Sequence, residues 1–343
     1  MKKGTKKTDT KSNKLSKQPA PPKSNWDFYA DGISYSLMSK FVICPERFRV
    51  YTVMGLRQSE RREAMEFGTI FHKALEYAAK GMTTTQVVSK LTRWAQANNA
   101  DMMLCRQAAV LVPHYNKFYS EDKFKYVSQE QVFKNPYKLS NGKVTLLRGR
   151  MDEVFLRDRK LWLQENKTKS RIDEDKIITT LPNDLQTMFY VYNMRIIYDR
   201  DIGGVLYNVI RKPEMKQKIK ESDVAFLQRI NEDVLERPDH YFKRYEVELC
   251  NKDIEDFHDR VIGPTLERIA IWWESIRNNP FDPWYLPDGR ANPHHWLRPF
   301  GIFDPMSLGR GDYFDYVTSG STLGLEKIAS PFPELDTEEQ GLN

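Results

Sequence analysis

The run Gly149-Arg150-Met151-Asp152, followed after one short segment by Glu165-Asn166-Lys167-Thr168, brings together residue types that can do chemistry. Side chains alternate across a β-strand, so Glu165 and Lys167 share a face, and a hairpin can set Asp152 beside Glu165. Two carboxylates converging on one face repel each other unless a cation lies between them. Oxygen ligands of this kind suit Mg²⁺ or Mn²⁺ better than zinc. A lysine beside them can orient a water or meet the charge of a phosphate. Together these residues point to metal-assisted phosphodiester hydrolysis.

An acid–x–lysine pair standing alone is most often a solvated strand edge. The flanks argue otherwise here. Lys160-Leu161-Trp162-Leu163-Gln164 reads as a mostly buried strand leading into Glu165, and Val144-Thr145-Leu146-Leu147 leads toward Asp152 in the same way. Charges at the ends of buried strands are harder to dismiss. Three further residues can join them. Phe67 to Glu76 reads as helical and carries His72 one turn beyond Gly68. A helix from Asp184 onward places Gln186 and Tyr190 at i and i+4, on one face. Each is weak alone, but the ordered set is hard to produce by chance.

With these residues in that order, the chain resembles the RecB-like branch of the PD-(D/E)XK nucleases, which includes RecB-type exonucleases, CRISPR-associated RecB-like exonucleases and phage relatives. The matching motifs are Gly68-x-x-x-His72, Gly149-x-x-Asp152, Glu165-x-Lys167-Thr168 and Gln186-x-x-x-Tyr190. Ser34-x-Ser36-Leu37 through Phe41 to Cys44-Pro45-x-x-Phe48-x-x-Tyr51 adds to the likeness, which spans Ile33 to Tyr207 and extends toward Trp296.

The resemblance implies an α/β restriction-endonuclease-like core, a mixed central sheet flanked by helices, with helical additions at both ends. It implies Asp152 and Glu165 as metal ligands, His72 and the main-chain carbonyl of Asn166 completing the shell, and Lys167 as the catalytic cation. Gln186 and Tyr190 would hold the nucleic-acid strand or brace the site. It further implies Mg²⁺ or Mn²⁺ as cofactor, and an exonuclease acting on DNA ends or single strands in recombination, repair or phage DNA metabolism. Alternatives are a catalytically silent nucleic-acid-binding or assembly subunit and a structure-selective endonuclease. The chain has no G-x-x-x-x-G-K-[ST] phosphate loop, so any unwinding would come from a helicase or recombination partner.

One departure from the family concerns iron. Many relatives hold an iron–sulfur cluster with one cysteine near the N-terminus and three near the C-terminus. Cys44 stands where the first would be, but the comparable later stretch, Asn292 to Pro305, contains no cysteine, and Cys105 and Cys250 lie elsewhere. No iron–sulfur cluster is expected. Cys44 is expected to pack as a small hydrophobe, with Trp296 and Phe303 replacing the metal clip.

Three cysteines among 343 residues make no disulfide framework and suit a reducing compartment. No apolar run reaches membrane-spanning length, and no signal-peptide h-region is visible. With a mean hydropathy of −0.65, the expectation is a cytoplasmic protein of a bacterial or phage-infected cell, not secreted and with no membrane partner. The net charge of +6 is uneven: Met1 to Asn25 holds eight lysines and one aspartate, leaving the remainder slightly acidic. That tail is expected to be disordered, serving as a solubiliser or as a non-specific phosphate-binding arm. Within the body, Arg148, Arg150, Lys167, Lys169 and Arg171 are expected to crowd around the site.

The domain reading is a basic tail (1–25), one nuclease domain (26–333) and a loose acidic end (334–343). Inside the domain a helical part (34–120) precedes a catalytic core (126–211) and a C-terminal helical and wrapping part (221–333). Helices are expected at Ser34 to Tyr51, Arg62 to Lys80, Thr84 to Asn98, Asp101 to Tyr119, Asn183 to Tyr198, Glu221 to Glu236 and Lys252 to Arg277. Strands are expected at Tyr126 to Phe133, Lys143 to Leu156, Leu161 to Lys167, Gly203 to Ile210 and Tyr241 to Leu249. Trp272-Trp273 is expected in the core, Asn279 to Met306 as an irregular wrap, and His294-His295 as a surface loop.

Overall fold

The structure, a computed structural model, describes residues 24–58, 63–278, 280, 303–304, 309–310, 313–332 and 335. The N-terminal half contains β1 (Ile33–Ser34), α1 (Tyr35–Ile43), α2 (Pro45–Phe48), β2 (Leu56–Gln58), α3 (Glu63–Ala79), α4 (Thr84–Ala97) and α5 (Met102–Phe118). Then follow β3 (Lys125–Lys138), β4 (Val144–Arg157), β5 (Lys160–Lys169), α6 (Glu174–Thr180), α7 (Leu185–Tyr198) and β6 (Ile202–Arg211). Next come α8 (Asp223–Glu236), α9 (Pro238–Tyr241), β7 (Phe242–Glu248), α10 (Asn251–Phe257) and α11 (Gly263–Ile276).

The hairpin joining β4 to β5 turns at Asp158 and Arg159, whose φ angles of 52° and 66° suit the tight turn that follows strand twist. The main sheet runs β1-β4-β5-β6-β7, with β3 also on β4. It is mixed: β1 and β4, and β5 and β6, are parallel, whereas the other pairs are antiparallel. A strand has two edges, and β3 occupies one edge of β4 along most of its length. The other is divided. β5 takes it from Arg157↔Lys160 to Glu153↔Gln164, and β1 takes it at Leu147 and Arg148. The fork between them opens at Arg150 to Asp152.

Helices cover the sheet in two packed groups, as a sheet with two apolar faces requires. One core joins Leu147, Met151, Val154, Leu163 and Val205 of the sheet to α1, α7 and α11. The other gathers α3, α4, α5 and α8 with Ile210 and Phe242. Trp272 and Trp273 are buried in the first core, as expected. The architecture is the expected α/β one.

Several expected elements are interrupted. The helix expected over Ser34 to Tyr51 stops at Cys44, whose extended backbone (φ −159°, ψ 104°) precedes Pro45; a residue before proline avoids the helical region. Arg49–Val53 then forms a π-helical turn. The long helix expected from Lys252 to Arg277 contains another π turn, His258–Ile262, just before Gly263 and Pro264, where proline cannot supply an N–H. Strand β3 runs on through Pro136, which an edge strand tolerates. Helix α6 and the short β1 were not anticipated. Ser24 and Asn25 are bonded to the body, Asn25 N–H donating to the Val53 carbonyl at 2.8 Å. Among the described residues no helix is long and apolar enough to cross a membrane. The expectations for Met1 to Lys23, for His294, His295 and Trp296, and for most of Asn279 to Met306 and Glu334 to Asn343 lie outside the described residues.

Candidate active site

Asp152 sits on β4 at the fork. Its Oδ2 accepts the main-chain N–H of Asn166 at 2.8 Å, just beyond the last β4–β5 pair, Glu153↔Gln164. Across from it on β3, Glu130 has a φ of 50°, a backbone state uncommon for a residue with a side chain. Glu165, one residue before Asn166, is only 1% exposed. Its Oε1 accepts from Lys167 Nζ at 2.5 Å and from Gln186 Nε2 at 2.6 Å. Its Oε2 is buried with no hydrogen-bond partner among the described residues.

These surroundings set the charges. Burial pushes the Glu165 carboxyl up to about 8; Lys167 opposes the rise and Asp152 adds to it. Burial would lower the Lys167 pKa, but Glu165 and Asp152 outweigh it and hold the ammonium charged. His72 Nδ1 lies 3.7 Å from Asp152 Oδ2. Burial pushes the His72 pKa down; Asp152 opposes this, while Lys167 and Arg150 reinforce it. The imidazole therefore stays neutral further into acid than an ordinary histidine. The nearby Asn166 main chain opposes the fall.

The motif glycines explain how the helices come so near. A Cβ on Gly68 would lie 2.9 Å from Thr168 Oγ1, so α3 reaches β5 through a missing side chain. A Cβ on Gly149 would meet the Phe133 ring at 2.6 Å and the Tyr190 ring at 3.0 Å. Tyr190 can therefore press against β4 only where that residue is glycine. Asp184 caps α7 by accepting the Thr187 N–H at 2.9 Å, which fixes the start of the helix that carries Gln186 and Tyr190. Burial raises the Tyr190 pKa, and Gln186 beside it opposes the rise.

Asp152, Glu165, Asn166, Lys167, His72, Gln186 and Tyr190 thus come together. The expected basic cluster does so only in part. Arg150 pairs with Glu130 at 3.2 Å and remains near His72. Lys169 is half-buried on β5 and Arg171 is exposed beyond it. Arg148 is turned elsewhere: it donates to the Asp31 carbonyl at 3.2 Å and lies 4.3 Å from the centre of the Phe332 ring. Its alternation along β4 gave no sign that the N-terminal loop and Phe332 would claim it.

Two further acids, Glu130 and Glu153, act electrostatically on Asp152. Burial, reinforced by Asp152, pushes Glu130 up to about 8 and Glu153 up to about 7. Glu153 was legible as the neighbour of Asp152; the position of Glu130 depends on strand register, which the sequence does not display. Cys44 is 2% exposed, and its Sγ accepts the Arg47 N–H at 3.4 Å, a packed residue capping α2.

The donor set fits a hard divalent cation. The Asp152 and Glu165 carboxylates interact electrostatically, one Glu165 oxygen is buried without a hydrogen-bond partner among the described residues, and the His72 imidazole lies 3.7 Å from Asp152. Among the described residues no group of three or more His, Cys, Asp or Glu side chains is placed to hold a metal ion, so a cation here would rest on two carboxylates, a main-chain carbonyl and water. An open set suits Mg²⁺, which keeps several of its waters.

Comparison with known proteins bears on the family. No curated protein is matched by the sequence. Among solved structures, the one titled "Crystal structure of SSO0001" is similar at 16% identity over 52% of this chain and 78% of that one, with a TM-score of 0.22; at that score it supports no structural argument. The family model described as the PD-(D/E)XK nuclease superfamily matches residues 32–283, a span that takes in both acids, the lysine and every helix around them. The chain belongs to the PD-(D/E)XK nuclease superfamily.

Proposed function

We propose that the protein is a Mg²⁺- or Mn²⁺-dependent deoxyribonuclease of the RecB-like branch, acting as an exonuclease on DNA ends or single strands in recombination, repair or phage DNA metabolism. The observation that carries the reading is the Glu165 carboxylate. One oxygen is held by Lys167 and Gln186, and the other is buried without a hydrogen-bond partner among the described residues. A buried polar atom left unpaired is costly, and a cation on that oxygen removes the cost.

In this reading Asp152, Glu165 and the main-chain carbonyl of Asn166 hold the metal, with His72 beside Asp152. The metal, when bound, polarises a phosphoryl oxygen and lowers the pKa of water. Lys167 stays protonated beside Glu165 and supplies a fixed positive charge to the phosphate as negative charge builds on it. Gln186 holds Glu165 in its rotamer, and Tyr190 braces the wall of the site against Gly149. Arg150, Lys169 and Arg171 contact the DNA backbone, and the lysines of the N-terminal tail add non-specific phosphate contacts. The RecB-like assignment is supported by His72 near Asp152 and by Gln186 on Glu165, two positions through which the chain resembles that branch.

The test is cleavage of end-labelled linear and covalently closed circular DNA by purified protein with Mg²⁺ or Mn²⁺. Mononucleotide release from linear DNA alone supports the exonuclease reading. Cutting of closed circles supports a structure-selective endonuclease instead, and DNA binding without cleavage supports the silent subunit.

A further inference from the structure

The side chain of Asn166 lies on the face of β5 opposite Glu165 and Lys167, where it is only 4% exposed. Its Oδ1 accepts from the Tyr115 hydroxyl at 3.2 Å and from Asn208 Nδ2 at 2.9 Å. Asn208 Nδ2 also donates to the Tyr115 hydroxyl oxygen at 2.9 Å. Asn208 Oδ1 accepts from Arg244 Nε at 2.7 Å. Arg244 is clamped by Asp122 at 2.9 and 2.7 Å and stacks 3.8 Å from the centre of the Tyr119 ring. At the other end, the Asn166 side chain lies near Glu153 and offsets part of the rise in that carboxyl's pKa.

The three central residues are cross-strand neighbours. Asn166 pairs with Asn208 across β5 and β6, and Asn208 with Arg244 across β6 and β7. A polar ladder through a buried sheet gains little stability over apolar packing of the same shape, yet it rigidifies what it holds when its members are satisfied. What it holds here is one peptide unit. The N–H of Asn166 fixes Asp152, and its main chain lies close enough to His72 to act on the imidazole's pKa.

We infer that Asn166 is a positioning residue through its side chain, and that Asn208, Tyr115 and the Arg244–Asp122 pair form the device that sets it. By anchoring the far side of β5, they fix the rotation of the Asn166 peptide, and with it the placement of Asp152 and of the carbonyl offered to the metal. This rests on the metal-dependent reading above. It assigns a role to the side chain of the middle residue of the acid–x–lysine motif, for which the family resemblance implies a role of the main-chain carbonyl alone.

The experiment is calorimetric titration of full-length protein with Mn²⁺ alone, alongside steady-state cleavage, for wild type and three variants. Asn208→Leu should weaken Mn²⁺ binding by about tenfold or more, the usual scale for removing the outer support of a metal ligand, and should lower kcat more than it raises KM. Tyr115→Phe keeps the ring and should fold even where Asn208→Leu does not. Its expected loss is about threefold, because one of the two bonds to Asn166 remains. Val209→Ala, a buried neighbour on β6, should lower the melting temperature and leave Mn²⁺ affinity unchanged. Wild-type affinity in both polar variants, or an equal loss in Val209→Ala, would overturn the positioning role while leaving the nuclease reading intact. A wild-type protein that binds no Mn²⁺ would overturn the metal reading itself, and this inference with it.

Discussion

The carboxylate of Asp152 is fixed by the main-chain N–H of Asn166, 2.8 Å from its Oδ2. The first acid is therefore held by the backbone of the strand that carries the second. This is possible because β5 stops pairing with β4 at Glu153↔Gln164, which frees the Asn166 N–H for a side chain. Asp152 and Glu165 are consequently coupled through the backbone as well as through charge.

Asp152→Asn tests that coupling. The amide oxygen can still accept from Asn166, while the repulsion with Glu165 is removed. The melting temperature without metal should be unchanged or higher, and cleavage should fall by at least about 10³-fold with loss of a metal ligand. Thermal denaturation and end-labelled cleavage read the two effects separately. A cleaving Asp152→Asn protein would remove this residue from the site.

Lys167→Ala should retain Mn²⁺ binding and lose about 10²–10³-fold in kcat, the size expected for removing one preorganised charge from a transition state. Collapse of metal affinity with a normal rate at saturating metal would make the lysine structural.

The pH dependence follows Glu165. Its folded pKa is raised from the ordinary 4.5 to about 8, chiefly by burial. Without metal, the folded state holds a proton that the unfolded state has released. The contribution to stability is thus complete below about pH 4.5 and is lost as pH rises through about 8. Metal competes with the same proton, so Mn²⁺ affinity should climb over that range. The lowered pKa of His72 makes it a lesser source of this dependence. Chelator-treated melts of wild type and Glu165→Gln check the sign: the variant should show a shallower slope, the remainder belonging to Glu130 and Glu153, whose pKa values are also raised, and an unchanged slope would place the titration elsewhere.

Gly149→Ala should destabilise by about 1–3 kcal/mol, the usual cost of forcing a methyl into a packed site, because the new Cβ meets Phe133 at 2.6 Å and Tyr190 at 3.0 Å. Urea unfolding measures it. A neutral substitution would show that the two rings yield freely.

What the sequence disclosed about this site was its chemistry and its order. The acids, the lysine, His72 and Gln186 were visible because each is a polar residue at a fixed offset from an apolar run or a motif glycine. The fork in the sheet was not visible, since β1 is two residues long and its pairing to Leu147 and Arg148 is a long-range event. The breaks at Cys44-Pro45 and before Gly263-Pro264 could have been read from the prolines, but the apolar periodicity ran through both. Arg148 went astray because charge and proximity in sequence suggested the site, whereas Phe332 and Asp31 lie nearby only in the fold. Asn208, alone among apolar residues on β6, was the available sign of the buried ladder.

Removing Met1 to Lys23 takes away all eight lysines of the tail but leaves Ser24 and Asn25, which are bonded to the body. DNA affinity should fall and its salt dependence flatten, since each phosphate contact contributes about −0.9 to the slope on duplex DNA. The rate at saturating DNA should be unchanged. Equal salt slopes would reduce the tail to a solubiliser.

The most direct measurement is cleavage of end-labelled linear DNA by wild type and Asp152→Asn, prepared in parallel and assayed with Mn²⁺ and then with chelator. The account predicts degradation only by the wild type, only with metal, and restored when metal is returned. Equal activity in both proteins, or activity that survives chelation, would contradict it.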